Sequence, residues 1–196
     1  MGIERRENTR DRLIGAAAAL LWERGYVGVS PRAIQQRAGV GQGSMYHHFR
    51  GKRDLAIAAL ERASQESRAG AAVFLDADDT PTERLITYLT RPRDVLKGCR
   101  IGRMTQDPDV VRDPGLRSPI EQAFAWHLGT LTSLIEAVQR SGDLDPDLDA
   151  ADTAATLSAV LQGAFVLARA ADDPEPFERA LRGCLALLAL RGPAPS

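Results

Sequence analysis

The fold is decided by residues 25–52, which read GYVGVSPRAIQQRAGVGQGSMYHHFRGK. Ser30 followed by Pro31 is typical of a helix start, because serine caps the first turn and proline fits the first helical position. A Gly-Val-Gly run at 39–41 ends that short helix, and a second short helix is predicted over residues 42–49. Two short helices joined by a glycine-containing turn are the sequence form of a helix-turn-helix.

Helices are predicted on both sides of this stretch. Before it, apolar residues recur at the spacing of one helical face and predict a helix over residues 9–24: Leu13, Ala17, Leu20 and Leu21. Asn8 or Thr9 can cap its start, and Gly25 lies where a helix stop belongs. After the stretch, a longer helix is predicted over residues 53–70.

Every strong periodicity in the rest of the chain is also helical. Thr80 and Pro81 begin a helix that ends near Pro92, and a short helix is predicted over residues 102–106. Residues 107–119 contain three prolines and are predicted to form a loop. Three apolar stripes predict three more helices: Ile120, Phe124, Leu128, Leu131, Ile135 and Val138; Leu157, Val160, Leu161, Ala164, Phe165 and Ala168; Phe177, Leu181, Cys184, Leu185 and Leu188. No segment alternates with a period of two, so the predicted fold is all-α.

The charges of the 196-residue chain are unevenly distributed, although the net charge is only −1. Residues 1–53 contain ten Arg or Lys and four acidic residues, a net charge of +6. Residues 54–196 contain fifteen basic and twenty-two acidic residues, a net charge of −7. A basic head on an acidic body indicates that the head meets a polyanion.

The composition excludes several classes of protein. Hydrophobic residues at 44% and charged residues at 26% are globular values, so wholesale disorder is excluded. No apolar run approaches the roughly 20 residues needed to cross a bilayer, and the Arg-rich start of the sequence has no secretory-signal core. Two cysteines, Cys99 and Cys184, cannot form a disulfide framework, so a reduced, cytoplasmic protein is expected.

The predicted helix-turn-helix indicates how the basic head meets DNA. In this motif the first helix crosses the phosphate backbone, and the second presents its N-terminal side chains to the major groove. Small residues at 41, 43 and 44 let the backbone approach the DNA, and Gln42 can pair bidentately with adenine. Hydroxyl, imidazole and ammonium donors to phosphates follow: Tyr46, His47, His48 and Lys52.

In order and spacing, this block resembles the N-terminal DNA-binding domain of TetR-type (TetR/AcrR) transcriptional regulators. The resemblance covers about residues 9–56 and is carried by Gly25-Tyr26, Ser30-Pro31, Ile34, Ala38-Gly39-Val40, Gly43-Ser44, Met45-Tyr46, His48-Phe49 and Lys52. Further on, Gly98-Cys99-Arg100-Ile101-Gly102 is similar to a Gly-Cys-Pro-x-Gly segment in one branch of these regulators, with Arg100 in place of the proline.

The resemblance implies an all-α protein of about nine helices. Residues 1–53 would form a three-helix DNA-binding domain with the helix-turn-helix, residues 54–191 a larger helical domain for ligand binding and dimerisation, and residues 192–196 a disordered tail. The residues implied in DNA contacts are Ser30 and Arg32 at phosphates, Gln42, Gly43 and Ser44 at bases or nearby phosphates, and Tyr46, His47, His48 and Lys52 at the backbone. Further candidates for a groove or phosphate contact are Arg5, Arg6 and Arg10.

The resemblance also implies a dimer and an effector pocket. In this family the last two long helices pair with those of a second copy in a four-helix bundle, and a C-terminal pocket binds small molecules that release DNA. Because an amphipathic helix would otherwise expose an apolar face, we expect the dimer interface to include Leu157, Leu161, Phe165, Leu181, Cys184, Leu185 and Leu188. We expect the mostly apolar pocket to include Tyr88, Arg103, Met104, Gln106, Phe124, Trp126, His127 and Phe165.

Other features have a structural interpretation that we prefer to a functional one. His47 and His48 are expected to point apart on a helix, and the chain has only one further histidine, so a metal site is disfavoured. Alternating aspartates at 143–149 lack the glycine and glutamate that a calcium loop requires, so a solvated turn with Asp149 as a helix cap is favoured. Arg100 and Arg103 are either surface charges or partners of an anionic ligand group. Met45 and Phe49, four residues apart, are predicted core residues.

The sequence therefore predicts a ligand-responsive transcriptional regulator, a repressor in the favoured reading. It would bind a palindromic operator in double-stranded DNA as a homodimer, be released by a small-molecule effector, and have no membrane partner. We find no nucleophile elbow, paired carboxylates or metal constellation, so we predict no catalytic residues, no cofactor and no enzyme. An activator, an architectural DNA-binding dimer without a ligand, and a small helical enzyme are the alternatives.

Overall fold

The computed structural model describes residues 8–75 and 78–188. Within those ranges the chain forms nine α-helices, one short 3-10 helix and no strand, which confirms the predicted all-α class. In chain order they are α1 (Thr9–Arg24), α2 (Pro31–Ala38), α3 (Gln42–His48), α4 (Lys52–Leu75), α5 (Pro81–Thr90), the 3-10 helix (Gly102–Gln106), α6 (Pro108–Arg112), α7 (Pro114–Arg140), α8 (Ala150–Ala171) and α9 (Glu175–Leu187). The predicted tail at 192–196, Arg5 and Arg6 lie outside the described residues.

α1 has the bounds that its apolar periodicity predicted. The residues of the predicted stripe are all buried: Leu13, Ala17, Leu20 and Leu21. Asn8 is the N-cap, because its side chain accepts a hydrogen bond of 3.1 Å from the N–H of Arg10. Gly25 ends the helix with a φ of 73°, a left-handed conformation that favours glycine.

The turn between α2 and α3 is held by a side chain of α1. The hydroxyl of Ser30 caps α2 by accepting a hydrogen bond of 3.1 Å from the N–H of Ala33. Gly39 ends α2 with a φ of 62°. Arg12 Nη2 donates to the carbonyl oxygens of Ala38 (2.5 Å) and Gly39 (3.0 Å). The helix-turn-helix therefore has its turn fixed from outside the motif.

The loop predicted over residues 107–119 is wrong, because the chain there forms α6 and the beginning of α7. Two Asp-Pro pairs, at 107–108 and 113–114, start these helices. Each aspartate accepts hydrogen bonds from backbone N–H groups of the first turn, and each proline takes the first helical position, where its missing N–H costs nothing. α4 also extends beyond its predicted end at residue 70.

By packing, the chain divides into two compact units, and each unit contains two segments of the sequence. Of the described residues, 8–66 and 100–121 form the first unit, and 67–99 and 122–188 form the second. The division lies within α4 rather than after residue 53, where the sequence analysis placed it. Residues 100–121 belong with the N-terminal helices.

Within the first unit, side chains tie residues 100–121 to the N-terminal helices. Asp107 Oδ2 accepts a hydrogen bond of 2.9 Å from the N–H of Val27. Arg53 and Asp113 form a bidentate ion pair with N–O distances of 2.6 and 2.7 Å. The segment also contributes buried apolar side chains: Ile101, Met104, Val110, Leu116 and Ile120.

The second unit has an apolar core formed mainly by α5, α7, α8 and α9. Of the residues predicted for the dimer interface, six are buried in this core and the last is half-buried against it: Leu157, Leu161, Phe165, Leu181, Cys184, Leu185 and Leu188. That prediction is corrected, because a side chain buried against its own chain is not available to a second copy. The exposed faces of α8 and α9 carry other residues: Ala155, Ala159, Gly163, Val166, Leu167, Gly183 and Leu187.

α8 is the one helix, among the described residues, with the length and composition to cross a bilayer. Its most apolar window has a mean hydropathy of 1.4. This is weak evidence for a membrane span, since the core helices of soluble proteins pass the same test. The large side chains of Leu157, Leu161 and Phe165 lie in the core of the second unit.

Candidate DNA-binding surface

α3 is anchored by two apolar side chains. Met45 is fully buried, and Phe49, which follows the helix, is 4% exposed. Gln35 Nε2, on α2, lies 3.3 Å from Met45 Sδ. Both residues are core, as the sequence predicted, and their burial fixes which side of α3 faces solvent.

The N-terminal end of α3 is open to solvent. Six predicted contact residues lie on this helix. Four of them are exposed: Gln42, Gly43, Tyr46 and His47. The other two, Ser44 and His48, are half-buried. Half of Tyr46 is accessible. No atom lies within 4 Å of a Cβ built at Gly41 or Gly43, so these glycines leave the backbone open to close approach.

Lys52 is the first residue of α4 and is held by an aromatic ring. Its Nζ lies 4.1 Å from the centroid of the Tyr26 ring, within cation–π range. Burial lowers the pKa of Lys52 from its ordinary value, while Asp107 and Asp109 act in the opposite direction. The ammonium group is therefore positioned by its neighbours and half-buried, in contrast to a freely extended surface lysine.

The start of α2 presents two further predicted contacts, Ser30 and Arg32, which are both exposed. The Oγ of Ser30 accepts the capping hydrogen bond, so its O–H remains able to donate. Arg10 lies with its Cζ 5.4 Å from the centroid of the Phe49 ring. The predicted DNA-contact residues that the structure describes thus lie on α3, at the start of α2 and at the starts of α1 and α4.

Two motifs resemble metal sites: the His47–His48 pair and the alternating aspartates at 143–149. The rings of His47 and His48 lie edge to face with centroids 5.0 Å apart, so they do not point apart as expected. Within residues 8–75 and 78–188, no group of three or more His, Cys, Asp or Glu side chains could hold a metal ion. The predicted cap is confirmed: Asp149 Oδ1 accepts a hydrogen bond of 2.9 Å from the N–H of Asp152 at the start of α8.

The residues predicted for the effector pocket fall in both units. In the first unit, Arg103 donates to the carbonyl oxygen of Trp22, Met104 is buried, and Gln106 is exposed. Arg100, in the same unit, pairs with Glu66. The other predicted pocket residues lie in the second unit: Tyr88, Phe124, Trp126, His127 and Phe165. The structure thus does not bring the eight residues together in one unit.

The second unit contains a polar pair formed by a buried Tyr88 on α5 and a half-buried His127 on α7. The hydroxyl oxygen of Tyr88 lies 2.6 Å from Nδ1 of His127. Burial, together with the positive charges of Arg91 and Arg93, lowers the pKa of His127 to about 4, so the ring is neutral at neutral pH. Burial raises the pKa of Tyr88.

Two arginines of this cluster escaped the sequence analysis. Arg93 donates to the carbonyl oxygens of Tyr88 (2.6 Å), Leu89 (2.7 Å) and Arg91 (2.9 Å), which closes the C-terminus of α5. Burial lowers the pKa of Arg93 to about 10. Arg91 Cζ lies 4.0 Å from the centroid of the Tyr88 ring. The signal in the sequence is an Arg-Pro-Arg run at 91–93 directly after a predicted helix end, where cations meet the last carbonyls.

Comparison with known proteins decides the family. Residues 13–59 match the bacterial regulatory proteins of the tetR family, and residues 79–184 match the tetracyclin repressor-like C-terminal domain. The chain belongs to the TetR family. It is a DNA-binding transcriptional regulator with its helix-turn-helix in α2 and α3 and with the C-terminal domain of that family.

Several named transcriptional regulators match most of the chain. The transcriptional regulator AcuR of Cereibacter sphaeroides is 28% identical over 171 residues, which are 84% of this chain and 78% of AcuR. The transcriptional repressor DhaR of a Mycobacterium species is 27% identical over 179 residues, 90% of each chain. The transcriptional repressor NemR of Escherichia coli is 24% identical over 183 residues, 89% of this chain and 90% of NemR.

Solved structures of TetR-family regulators have the same fold. A regulator from Rhodobacter sphaeroides superposes with a TM-score of 0.81 at 26% identity, and the match covers 90% of this chain and 96% of that one. One from Agrobacterium tumefaciens superposes with a TM-score of 0.83 at 24% identity, covering 92% and 97%.

Proposed function

We propose that this TetR-family regulator is a homodimeric, ligand-responsive repressor. It binds a palindromic operator, and a small-molecule effector releases it. The observation that carries the proposal is the exposed N-terminal end of α3 on its buried anchor of Met45 and Phe49, inside a segment with a net charge of +6. The relatives DhaR and NemR are named as repressors, which supports repression rather than activation by this protein.

In this proposal α3 is the recognition helix that enters the major groove. Gln42, exposed in the first turn, reads a base through its amide, and Gly43 and Ser44 let the helix approach the groove closely. Contacts to phosphates position the helix and come from Ser30, Arg32, Tyr46, His47, His48 and Lys52. Arg10 joins them from α1.

The dimer forms through the exposed faces of α8 and α9. Val166 and Leu167 are each more than half exposed, and Leu187 is 89% exposed, although all three are apolar. Small exposed residues on the same two helices let the helices of two copies approach closely: Ala155, Ala159, Gly163 and Gly183. A two-fold symmetric contact of this face with itself gives the symmetry that a palindromic operator requires.

The effector binds the second unit and prefers the dimer whose recognition helices do not fit adjacent grooves. Coupling of this kind is typically about 1–3 kcal/mol, so operator affinity falls about 5- to 150-fold when the effector is bound. Operator DNA weakens effector binding by the same factor, because the coupling is reciprocal. The protein acts in the cytoplasm, where its operator is, and does so without catalysis or a cofactor.

Footprinting on the DNA flanking the gene tests the proposal. We expect protection of a two-fold symmetric site whose half-sites are about one helical turn or somewhat more apart. Transcription from that promoter should fall when the protein is added. Protection that accompanies increased transcription would instead support an activator, and protection of unrelated sequences alike would support an architectural protein.

The recognition role of Gln42 is tested by Gln42→Ala. We expect a loss of discrimination at one base step in each half-site of about 1–3 kcal/mol, measured by titration of operator variants. Gln36→Ala is the matched control, since Gln36 is an exposed glutamine on α2 rather than α3. Equal base preference in wild type and Gln42→Ala would remove Gln42 from base readout.

A further inference from the structure

Arg91, at the end of α5, has a buried hydrogen-bond donor without a partner. Its Nη1 has essentially no accessible surface and meets no acceptor among the described residues. Its guanidinium lies over the Tyr88 ring at 4.0 Å and 5.8 Å from the centroid of the Phe74 ring. The Arg91 guanidinium also forms a side-chain hydrogen bond with Tyr88, which acts to lower the pKa of Tyr88, but Nη1 itself has no acceptor. Buried donors without a partner are rare in folded proteins and call for an explanation.

Among the residues that the structure describes, no carboxylate pairs with Arg91. Neither Arg91 nor Arg93 forms an ion pair within residues 8–75 and 78–188. The groups that shift the pKa of Tyr88, Arg93 and His127 include arginines and Cys99 but no aspartate or glutamate. A half-buried guanidinium without a carboxylate is costly, and an added anion would relieve that cost.

Part of α7, in the same unit, carries large apolar side chains that remain partly accessible. On α7, Trp126 and Leu128 are half-buried, whereas Leu131 and Ile135, further along the same helix, are almost fully buried. Trp126 neighbours His127, whose Nδ1 is bonded to the Tyr88 hydroxyl 2.6 Å away. Large apolar side chains that stay accessible beside a polar cluster are typical of the walls of a ligand pocket.

We infer that the effector is a carboxylate with an apolar body, whose anionic oxygen atoms pair with Arg91 and whose apolar body lies against Phe74 and Trp126, the two half-buried aromatic side chains. The inference rests on the proposed function, since it names the class of effector that the second unit takes. A planar guanidinium fork matches the two oxygen atoms of a carboxylate.

A singly charged group fits better than a phosphate monoester. Of the two arginines that follow α5, Arg93 already donates to three backbone carbonyl oxygens, so Arg91 is the one with an unsatisfied buried donor. His127 is neutral at neutral pH and adds no second positive charge. A dianionic phosphate would therefore be only partly neutralised.

The test compares carboxylates with neutral molecules of the same shape. Straight-chain carboxylates from acetate to octanoate, benzoate and phenylacetate are titrated against the full-length protein, each beside its primary amide. Thermal unfolding and calorimetric titration give the affinity. We expect at least one carboxylate to raise the melting temperature and to bind at least about tenfold more tightly than its amide, because a hydrogen bond to a charged group contributes more than a neutral one.

Two variants assign the effect to Arg91. Arg91→Gln should weaken binding of that carboxylate about 10- to 150-fold and leave binding of the amide nearly unchanged. Arg91→Lys keeps the positive charge but loses the planar guanidinium fork, so its affinity for the carboxylate should lie between those of Arg91→Gln and wild type. Arg179→Gln, an exposed arginine on α9 in the same unit, is the matched control and should bind as wild type does. If Arg91→Gln does not fold, Arg91→Lys must still reduce the preference for the carboxylate.

The outcomes separate this inference from the proposed function. If no carboxylate binds better than its amide, or if Arg91→Gln and Arg91→Lys bind it as wild type does, the inference is overturned while operator binding still stands. If the carboxylate binds through Arg91 but operator affinity stays the same, the anion site stands and release by this ligand is wrong. Inorganic phosphate is included as a competitor, and displacement of the carboxylate by phosphate at equal concentration would overturn the preference for a single charge.

Discussion

Lys52 offers the simplest test of a phosphate contact at the level of one residue. A dimer loses two such contacts in Lys52→Gln, so the slope of log affinity against log salt should flatten by about 1.8. Affinity for specific and unrelated DNA should fall alike, since a phosphate contact carries no sequence information. Operator titration between 50 and 200 mM salt gives the slope, as is usual for such measurements. Lys97→Gln removes the one other lysine of the sequence, in the second unit, and should leave the slope as it is.

An unchanged slope in Lys52→Gln would mean that the ammonium group serves only to pack on the Tyr26 ring, where it lies 4.1 Å from the centroid. A loss of thermal stability with unchanged DNA binding would lead to the same conclusion. Tyr26→Leu separates the two roles further, because it removes the ring and keeps the charge.

Two glycines of the helix-turn-helix should respond oppositely to alanine. Gly39→Ala forces a side chain into a left-handed conformation, and its Cβ would lie 2.8 Å from Arg12 Nη2, so we expect a loss of about 1–2 kcal/mol in the free energy of unfolding. Gly43→Ala meets no atom within 4 Å and should gain up to about 1 kcal/mol from helix propensity. Urea unfolding measures both.

The same pair of variants also reports on DNA binding. Gly43→Ala adds a methyl group to the exposed end of α3, so its operator affinity should fall although the protein is more stable. The folded fraction of Gly39→Ala should bind the operator with the affinity of the wild type. If Gly43→Ala binds the operator as tightly as wild type, the backbone at Gly43 does not approach the DNA closely.

At the level of elements, the ion pair between Arg53 and Asp113 joins the start of α4 to the start of α7 within the first unit. The hydrogen bond from Arg53 is the main reason that the pKa of Asp113 falls to about 2, from an ordinary value of 3.8. Because the folded pKa is depressed, the stabilisation is complete above about pH 4 and is lost as the pH falls towards 2.

Asp113→Asn should therefore lower the melting temperature at pH 7, while the amide oxygen still caps α7. The difference from wild type should shrink between pH 4 and pH 2, and also in 1 M salt, since the pair is partly exposed and screened. Melting curves across this pH range measure it. Asp94→Asn, in a surface pair with Lys97, is the control. A difference that is constant with pH would mean that the charge of Asp113 contributes nothing.

Element boundaries could be predicted where the sequence carries a cap and a strong stripe. α1 and α2 have the predicted bounds because Asn8, Ser30 and Gly39 act locally. α6 and the first turns of α7 were not predicted, because the prolines of this segment were interpreted as helix breakers. Pro119 lies inside α7, where its buried carbonyl oxygen accepts a hydrogen bond from Ser64 Oγ at 3.3 Å. That contact joins residues 55 positions apart and has no signature in the local sequence.

At the level of the whole molecule, the choice of dimer face can be tested directly. Val166→Glu places a charge on the exposed face of α8 and should give monomers with native helicity and lost operator binding. Leu161→Glu places it in the core, 4% exposed, and should unfold the second unit or give insoluble protein. Light scattering and circular dichroism distinguish the two results. Thr87→Glu, at an exposed position of α5 in the same unit, is a control for an added surface charge.

A dimeric mass for a folded Val166→Glu variant would exclude this face as the interface. A monomeric wild type at micromolar concentration would exclude the dimer itself.

The candidate sites show what one sequence can and cannot specify. The exposure of Gln42, Tyr46 and His47 followed from Met45 and Phe49, because a short helix with two buried residues has one remaining open side. For α8 and α9 the apolar stripes correctly predicted which side chains are buried, but not which part of the protein covers them. An apolar helix face can pack against the core of its own chain or against a second copy. Arg91 was missed because its environment depends on α4 and α7, which periodicity alone does not place.

The first unit is formed by two separate segments of the sequence, so its folding during synthesis must wait for the second segment. Residues 67–99 are synthesised before the strip at 100–121 that completes the packing around α1 and α4. Until Asp107 emerges, the N–H of Val27 lacks its acceptor, and until Leu116 emerges, a nascent head lacks part of its buried core. A growing chain is therefore unable to complete the packing of its first unit before the first segment of its second unit, residues 67–99, has been made. The packing of the unit that contains the helix-turn-helix is completed only after well over half of the chain has left the exit tunnel.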